Sequence, residues 1–374
     1  MRSQQIRWSE TSGWSGYNAI EGLSSDLVLV FIDHPKSLSD EWFEELRSLF
    51  PNAVIAGVST AGSVLDTLIS DQDAVATAIT FERSSVRCVS GLVTDYVDVE
   101  TLGSDLGRKL MDETLQHVLI LSDGLSVNGS ALARGFSEVL PQGVTITGGL
   151  AGDGTRFGTT YVIAQGAAQT GMVAAIGFYG ETLRAKSGCF AGWDEFGPER
   201  VITQSNANVL YTIDDKPALE LYKSYLGEFA ADLPGSGLRF PISVRENTQS
   251  TPLIRTLLAV DEETQSLTFA GDVPQGHLCR LLKTNMDLLI EHAGLAAESS
   301  KIDQNEAFLV IAVSCVGRRL VLGQLCEEEL EIIRETLGDK AIITGFYSYG
   351  ELSEKGESRC TLHNQTMTLV SIYE

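Results

Sequence analysis

The sequence predicts a mixed α/β fold of the α+β kind, arranged in two domains with mixed sheets. Three observations predict it: a strand, helix, strand order that recurs three times, a glycine cluster closing each recurrence, and intervening stretches that read as antiparallel strands. With 374 residues the chain exceeds one ordinary domain and is long enough for two cores.

The first unit opens with Leu27-Val28-Leu29-Val30-Phe31-Ile32, a continuous apolar run of the kind covered on both faces of a sheet. Ser37 with Asp40 signals a helix start, and Trp42, Phe43, Leu46, Leu49 and Phe50 then share one helical stripe. A strand over 53–58 runs into Gly57-Val58-Ser59-Thr60-Ala61-Gly62. The second unit has a strand at 118–121, a helix opened by Asn128 or Ser130, and a strand over 144–147 before Gly148-Gly149-Leu150-Ala151-Gly152-Asp153. In the third, a strand over 308–313 and a helix over 327–337 precede a strand over 341–344 and Gly345-Phe346-Tyr347-Ser348-Tyr349-Gly350-Glu351. The first and third glycine loops align without a gap, Gly57 on Gly345 and Gly62 on Gly350, with Ser63 opposite Glu351.

Between the units, 160–163, 171–178 and 208–213 read as strands, and 256–260 pairs with 266–270 across an acidic turn. Pro217 sits in the first turn of a helix, and Leu233-Pro234-Gly235-Ser236-Gly237 is the densest turn signal in the chain. The expected division is therefore an extension over 1–26, one domain over 27–230 and a second over 231–374.

A formal net charge of −23 repels a phosphate backbone and an anionic membrane surface, so neither nucleic acid nor membrane is an expected partner. No apolar run approaches the ~20 residues of a membrane-spanning helix, and the polar first ten residues lack a signal-peptide core. The expected compartment is the cytoplasm, with the six dispersed cysteines as reduced thiols.

Together, the three glycine clusters, Asn208 to Asp214 followed by Pro217-Ala218-Leu219-Glu220-Leu221-Tyr222, Ser314-Cys315-Val316-Gly317-Arg318 and Leu362-His363-Asn364-Gln365-Thr366 make the chain resemble the FIST sensory family. The resemblance spans nearly the whole chain, as an N-terminal and a C-terminal FIST domain. It implies a non-catalytic small-ligand sensor of bacterial signal transduction, acting through a separate signalling protein such as a histidine kinase or a cyclic-di-GMP enzyme. One branch of the family implies haem b and nitric oxide, and the other ligand class is an amino acid or related small anion. The chain departs from the family pattern at Val58, where cysteine is common, and at Ser63, where an acidic residue is common.

Glycine at a strand end lets backbone N–H groups reach a ligand. The expected ligand contacts are Gly57, Ser59, Thr60 and Gly62 in the first loop, Gly148, Gly149 and Asp153 in the second, and Tyr347, Tyr349 and Glu351 in the third. Arg318 as an anion clamp and the Asn364 and Gln365 amides complete the set. His363 is the first candidate for a haem iron ligand and His277 the second. For each residue a structural role stands beside the functional one: a tight turn for the glycines, a loop anchor for Asp153, a buried polar network for the His363 segment. An enzyme would use Cys315 as nucleophile beside Arg318, or Ser59, near which no base is recognisable.

Overall fold

A computed structural model describes residues 1–16, 24–32, 40–71, 73–302, 306–355 and 358–374. The expected cap at Ser37 and the histidine at position 34 lie outside the described residues.

Three six-stranded sheets share one plan. At the centre of each lies a parallel pair: Leu27–Ile32 with Val54–Ser59, Leu115–Ser122 with Thr145–Leu150, and Phe308–Cys315 with Ala341–Ser348. Each pair is joined by a crossover that contains a helix, as parallel strands require: Asp40–Leu49, Gly129–Val139 and Glu328–Leu337. Asn128 caps the second of these helices, its Oδ1 accepting from the Ala131 N–H at 3.0 Å. An antiparallel strand then adds beside the first strand of each pair, Ala74–Thr80, Met172–Tyr179 and Met367–Tyr373 in turn.

The far side of each parallel pair is completed by a different unit. The short strand after the second glycine cluster, Val162–Ala164, pairs with Val54–Ser59 of the first unit. Gly350–Lys355 of the third unit pairs with Thr145–Leu150 of the second, and Ser63–Leu65 of the first pairs with Ala341–Ser348 of the third. The exchange runs in a closed circle. One core draws on all three sheets, with Phe31 and Val58 from the first, Leu119 and Ile176 from the second, and Ile311 and Phe346 from the third. The helices bury the outer faces in three further clusters.

The segment expected as an N-terminal extension is part of this body. Arg2–Ser9 pairs along its length with Ala74–Thr80, and Gln4, Gln5 and Ile6 are buried. Its polar composition conceals a strand whose partner lies some seventy residues away in sequence.

Residues 193–284 form an inserted subdomain between the strand Arg184–Phe190 and the helix Met286–Ser300 of the third unit. It has an eight-stranded antiparallel sheet, the helix Ala218–Leu226 and its own core around Tyr222, Leu267 and Phe269. The expected division near residue 230 falls inside this subdomain, so chain from both sides of it shares the three sheets. Among the described residues no helix is long and apolar enough to cross a membrane.

Candidate functional site

The glycine clusters meet through backbone hydrogen bonds. Ala61 N–H donates to Tyr347 O and Tyr347 N–H to Gly62 O, both at 2.8 Å; Gly152 N–H donates to Ser59 O at 2.9 Å and Tyr349 N–H to Leu150 O at 3.0 Å. The loops therefore satisfy one another's polar groups. The glycines expected to face a ligand face protein instead. A Cβ at Gly57, Gly148 or Gly345 would lie 1.9, 2.0 or 1.8 Å from the carbonyl oxygen of Val30, Ile120 or Ala312, its register partner on the neighbouring strand. A Cβ at Gly149 would strike Val313 and Phe346 in the core, and one at Gly62 would strike Arg319 and Tyr347.

The polar residues of these loops are likewise occupied. Ser59 Oγ accepts from the Tyr161 N–H at 2.9 Å, and Thr60 Oγ1 from the Gly62 N–H at 3.1 Å. Tyr347 is fully buried and its hydroxyl donates to Glu329 at 2.8 Å. Arg318 is no anion clamp: its guanidinium is buried, binds Glu329 through Nε at 3.1 Å and Nη2 at 2.8 Å, and donates to the carbonyls of Ala191 and Leu289. Cys315 has no activation, because burial pushes its thiol up, away from the thiolate, with the Glu351 carboxyl adding to the effect.

Asp153 anchors a loop. Its carboxylate accepts from the N–H groups of Phe157, Gly158 and Thr159 at 2.8–2.9 Å and from the Tyr349 hydroxyl. Burial raises its pKa, but the hydrogen bonds from Tyr349, Thr159 and Gly158 prevail and hold it below the usual carboxylate value. Glu351 is fully buried and accepts from Ser348 Oγ at 2.6 Å and Thr366 Oγ1 at 2.9 Å. Burial outweighs those donors and pushes it up to about 8.

One residue of the third loop reaches open space. Tyr349 lines a cavity of about 610 Å³ at the carboxyl ends of the parallel strands Leu115–Ser122 and Phe308–Cys315, where ligands commonly bind in α/β sheets. The walls come from the turn at 124–129, from Cys315, Val316 and Gly317, and from Leu238, Leu257 and Phe269 of the inserted subdomain. Phe157 stacks on Tyr349 at 4.6 Å between ring centroids and stands 46% exposed beside the cavity. Among the described residues no charged side chain lines this space. Behind it lie the Asn364 and Gln365 amides, both fully buried; Asn364 Nδ2 donates to His363 O at 3.0 Å and Gln365 Nε2 to Leu238 O at 3.4 Å. Their amide oxygens have no partner among the described residues.

Sequence reasoning missed most of these walls, since they converge from segments far apart in the chain. Phe157 alone left a local signal, a single aromatic in the glycine and polar stretch after Asp153.

The histidines do not fit a haem. His363 is 1% exposed, its Nε2 lies 3.1 Å from Ser353 O and 3.0 Å from Thr361 Oγ1, and it lines no cavity among those described. His277 lines a separate groove of about 860 Å³, whose walls include Arg134, Arg245, Glu246 and Asp272 in place of the apolar faces a porphyrin needs. Among the described residues no group of three or more His, Cys, Asp or Glu side chains could hold a metal ion.

Comparison with known proteins agrees with the sequence resemblance. No curated protein matches. A solved cyanuric acid hydrolase from A. caulinodans is 9% identical over 99% of this chain and 98% of its own, at a TM-score of 0.35, too low to carry an argument. The FIST N domain model matches residues 26–216 and the FIST C domain model residues 218–354, so the chain belongs to the FIST family of sensory, signal-transduction domains.

Proposed function

We propose that this FIST protein is a non-catalytic input module that senses a neutral, largely apolar small molecule in the cavity beside Tyr349. The observation that carries this reading is the cavity wall. At about 610 Å³ it lies within the roughly 300–1,000 Å³ typical of small-molecule sites. Its walls offer apolar faces with a few hydroxyl and amide groups and, among the described residues, no charged side chain. A carboxylate or an amino-acid zwitterion entering it would shed water without meeting an opposite charge, which costs several kcal/mol or more. Hydrophobic burial is the attraction this wall supplies.

The cavity joins the body to the inserted subdomain. A ligand that bridges Tyr349 and Val316 to Leu257 and Phe269 favours the arrangement that holds those walls together, and a signalling partner that reads that arrangement receives the signal.

The test is thermal unfolding against a panel of neutral aromatic compounds, amino acids and small carboxylates. A ligand bound only to the folded state raises the melting temperature by mass action. Neutral compounds are expected to stabilise the wild type and to lose that effect in Ala270→Phe, which fills the cavity from the subdomain side. Stabilisation by charged compounds alone, or the same shift in Ala270→Phe, would overturn the reading.

A further inference from the structure

The groove on the other side of the inserted subdomain carries different chemistry. Arg255 ends the strand Leu253–Arg255 and is 4% exposed, yet among the described residues no carboxylate pairs with it. Its hydrogen bonds all go to main-chain carbonyls, Nε to Asp272 at 2.9 Å and Nη1 to Ile254 at 3.0 Å and Leu362 at 3.1 Å. Nη2 makes none among the described residues, and the side chain lines the groove of about 860 Å³. Burial pulls the guanidinium down to about 10, against the opposing pull of the Asp272 charge. A buried cation in this state is short of negative charge.

Two further groups of the same groove lack partners. Ser130 and Arg134 stand one turn apart on the helix Gly129–Val139, and Ser130, 9% exposed, has an Oγ with no hydrogen bond among the described residues. Asp272 gives Oδ2 to Arg134 at 3.2 Å and leaves Oδ1 buried without a partner. The remaining basic groups are engaged: Arg134 also binds Glu100 at 3.0 Å, and Arg245 binds Glu199 at 2.7 and 2.9 Å. Among the described residues the cluster thus holds a cation with no carboxylate in hydrogen-bonding contact, a hydroxyl without an acceptor and a carboxylate oxygen without a donor. One small group answers all three, an anion whose oxygens accept from Arg255 and Ser130 while its own hydroxyl donates to Asp272.

We infer that this groove is a second ligand site, for a small oxyanion that carries a hydroxyl group. Hydrogen phosphate and short hydroxycarboxylates share that chemistry. The net charge of −23 repels anions at long range, so recognition comes from this local cluster.

Calorimetric titration of the intact chain separates the requirements. Inorganic phosphate is compared with sulfate, and glycolate with acetate, each pair differing in the hydroxyl. In at least one pair the hydroxyl-bearing member is expected to bind about tenfold more tightly, the effect of leaving the Asp272 acceptor unmet. The pair that discriminates identifies the source. Arg255→Gln is expected to abolish binding, and Ser130→Ala to weaken it about tenfold or more for one lost hydrogen bond to a charged group. Because Ser130 Oγ has no partner among the described residues, its removal is expected to leave the fold intact and keeps the test decisive if Arg255→Gln fails to fold. Ala270→Phe leaves this binding unchanged, which distinguishes the groove from the apolar cavity. Failure of both hydroxyl-bearing anions to bind, equal binding within both pairs, or indifference to Ser130→Ala would overturn the inference.

Discussion

Arg318 and Arg255 are both buried guanidinium groups, and their surroundings differ. Arg318 shares its site with Glu329, and Ser314 and Tyr347 hold the other oxygen of that carboxylate. Among the described residues Arg255 has only carbonyl oxygens as hydrogen-bond partners. The difference teaches that burial alone does not mark a functional charge. A saturated pair braces the framework, here the helices Val316–Leu322 and Glu328–Leu337 against the strand Phe308–Cys315, whereas an unsaturated cation leaves work for a ligand.

The largest effect is expected at the saturated pair. Arg318→Met strands Glu329 in the core and should cost about 3–5 kcal/mol in denaturant unfolding, whereas Arg318→Met with Glu329→Leu should recover most of it. Equal losses in the single and double variants would break the comparison. Arg255→Gln is expected to cost less, about 1–3 kcal/mol for hydrogen bonds to neutral carbonyls. A loss as large as that of Arg318→Met would mean that Arg255 also serves the framework.

Glu351 is the acidic counterpart, buried with hydroxyl and main-chain amide donors and, among the described residues, no cation. Its folded value of about 8 lies above the ordinary glutamate value of 4.5, so the folded state holds the proton more tightly than the unfolded state. Its contribution is fully present below about 4.5 and is lost as pH rises towards 8, at a slope of at most about 1.4 kcal/mol per pH unit. Glu351→Gln should flatten that window in pH-dependent unfolding. An unchanged slope would show that another group sets it.

Much of the framework was legible in the sequence because it is local. The run from Leu27 to Ile32, the Asn128 cap and Pro217 before its helix each lie where periodicity and turn chemistry place them. The alignment of Gly57 with Gly345 was also legible, and both prove to admit a neighbouring carbonyl. What the sequence concealed is non-local. Ser63–Leu65 is three residues, too short for a period, and Val162–Ala164, within reach of the strand read at 160–163, pairs with a strand of another unit that no local pattern names. The cavity beside Tyr349 has walls drawn from more than two hundred residues of chain, so no segment announces it. Arg255 did leave a trace, one basic residue in the otherwise uncharged run Leu253-Ile254-Arg255-Thr256-Leu257-Leu258.

The circular exchange of strands among the three units has a consequence for assembly. Each unit lends an edge to one neighbour and borrows one from the other, so none is a finished sheet by itself. A fragment ending near residue 216, where the first family match stops, would carry Ser63–Leu65 paired on one side only, with Leu68–Ser70, and Thr145–Leu150 with an open flank. Such bare strand edges invite self-association. The two family matches thus divide the sequence between residues 216 and 218, while strands from either side of that division pair with one another.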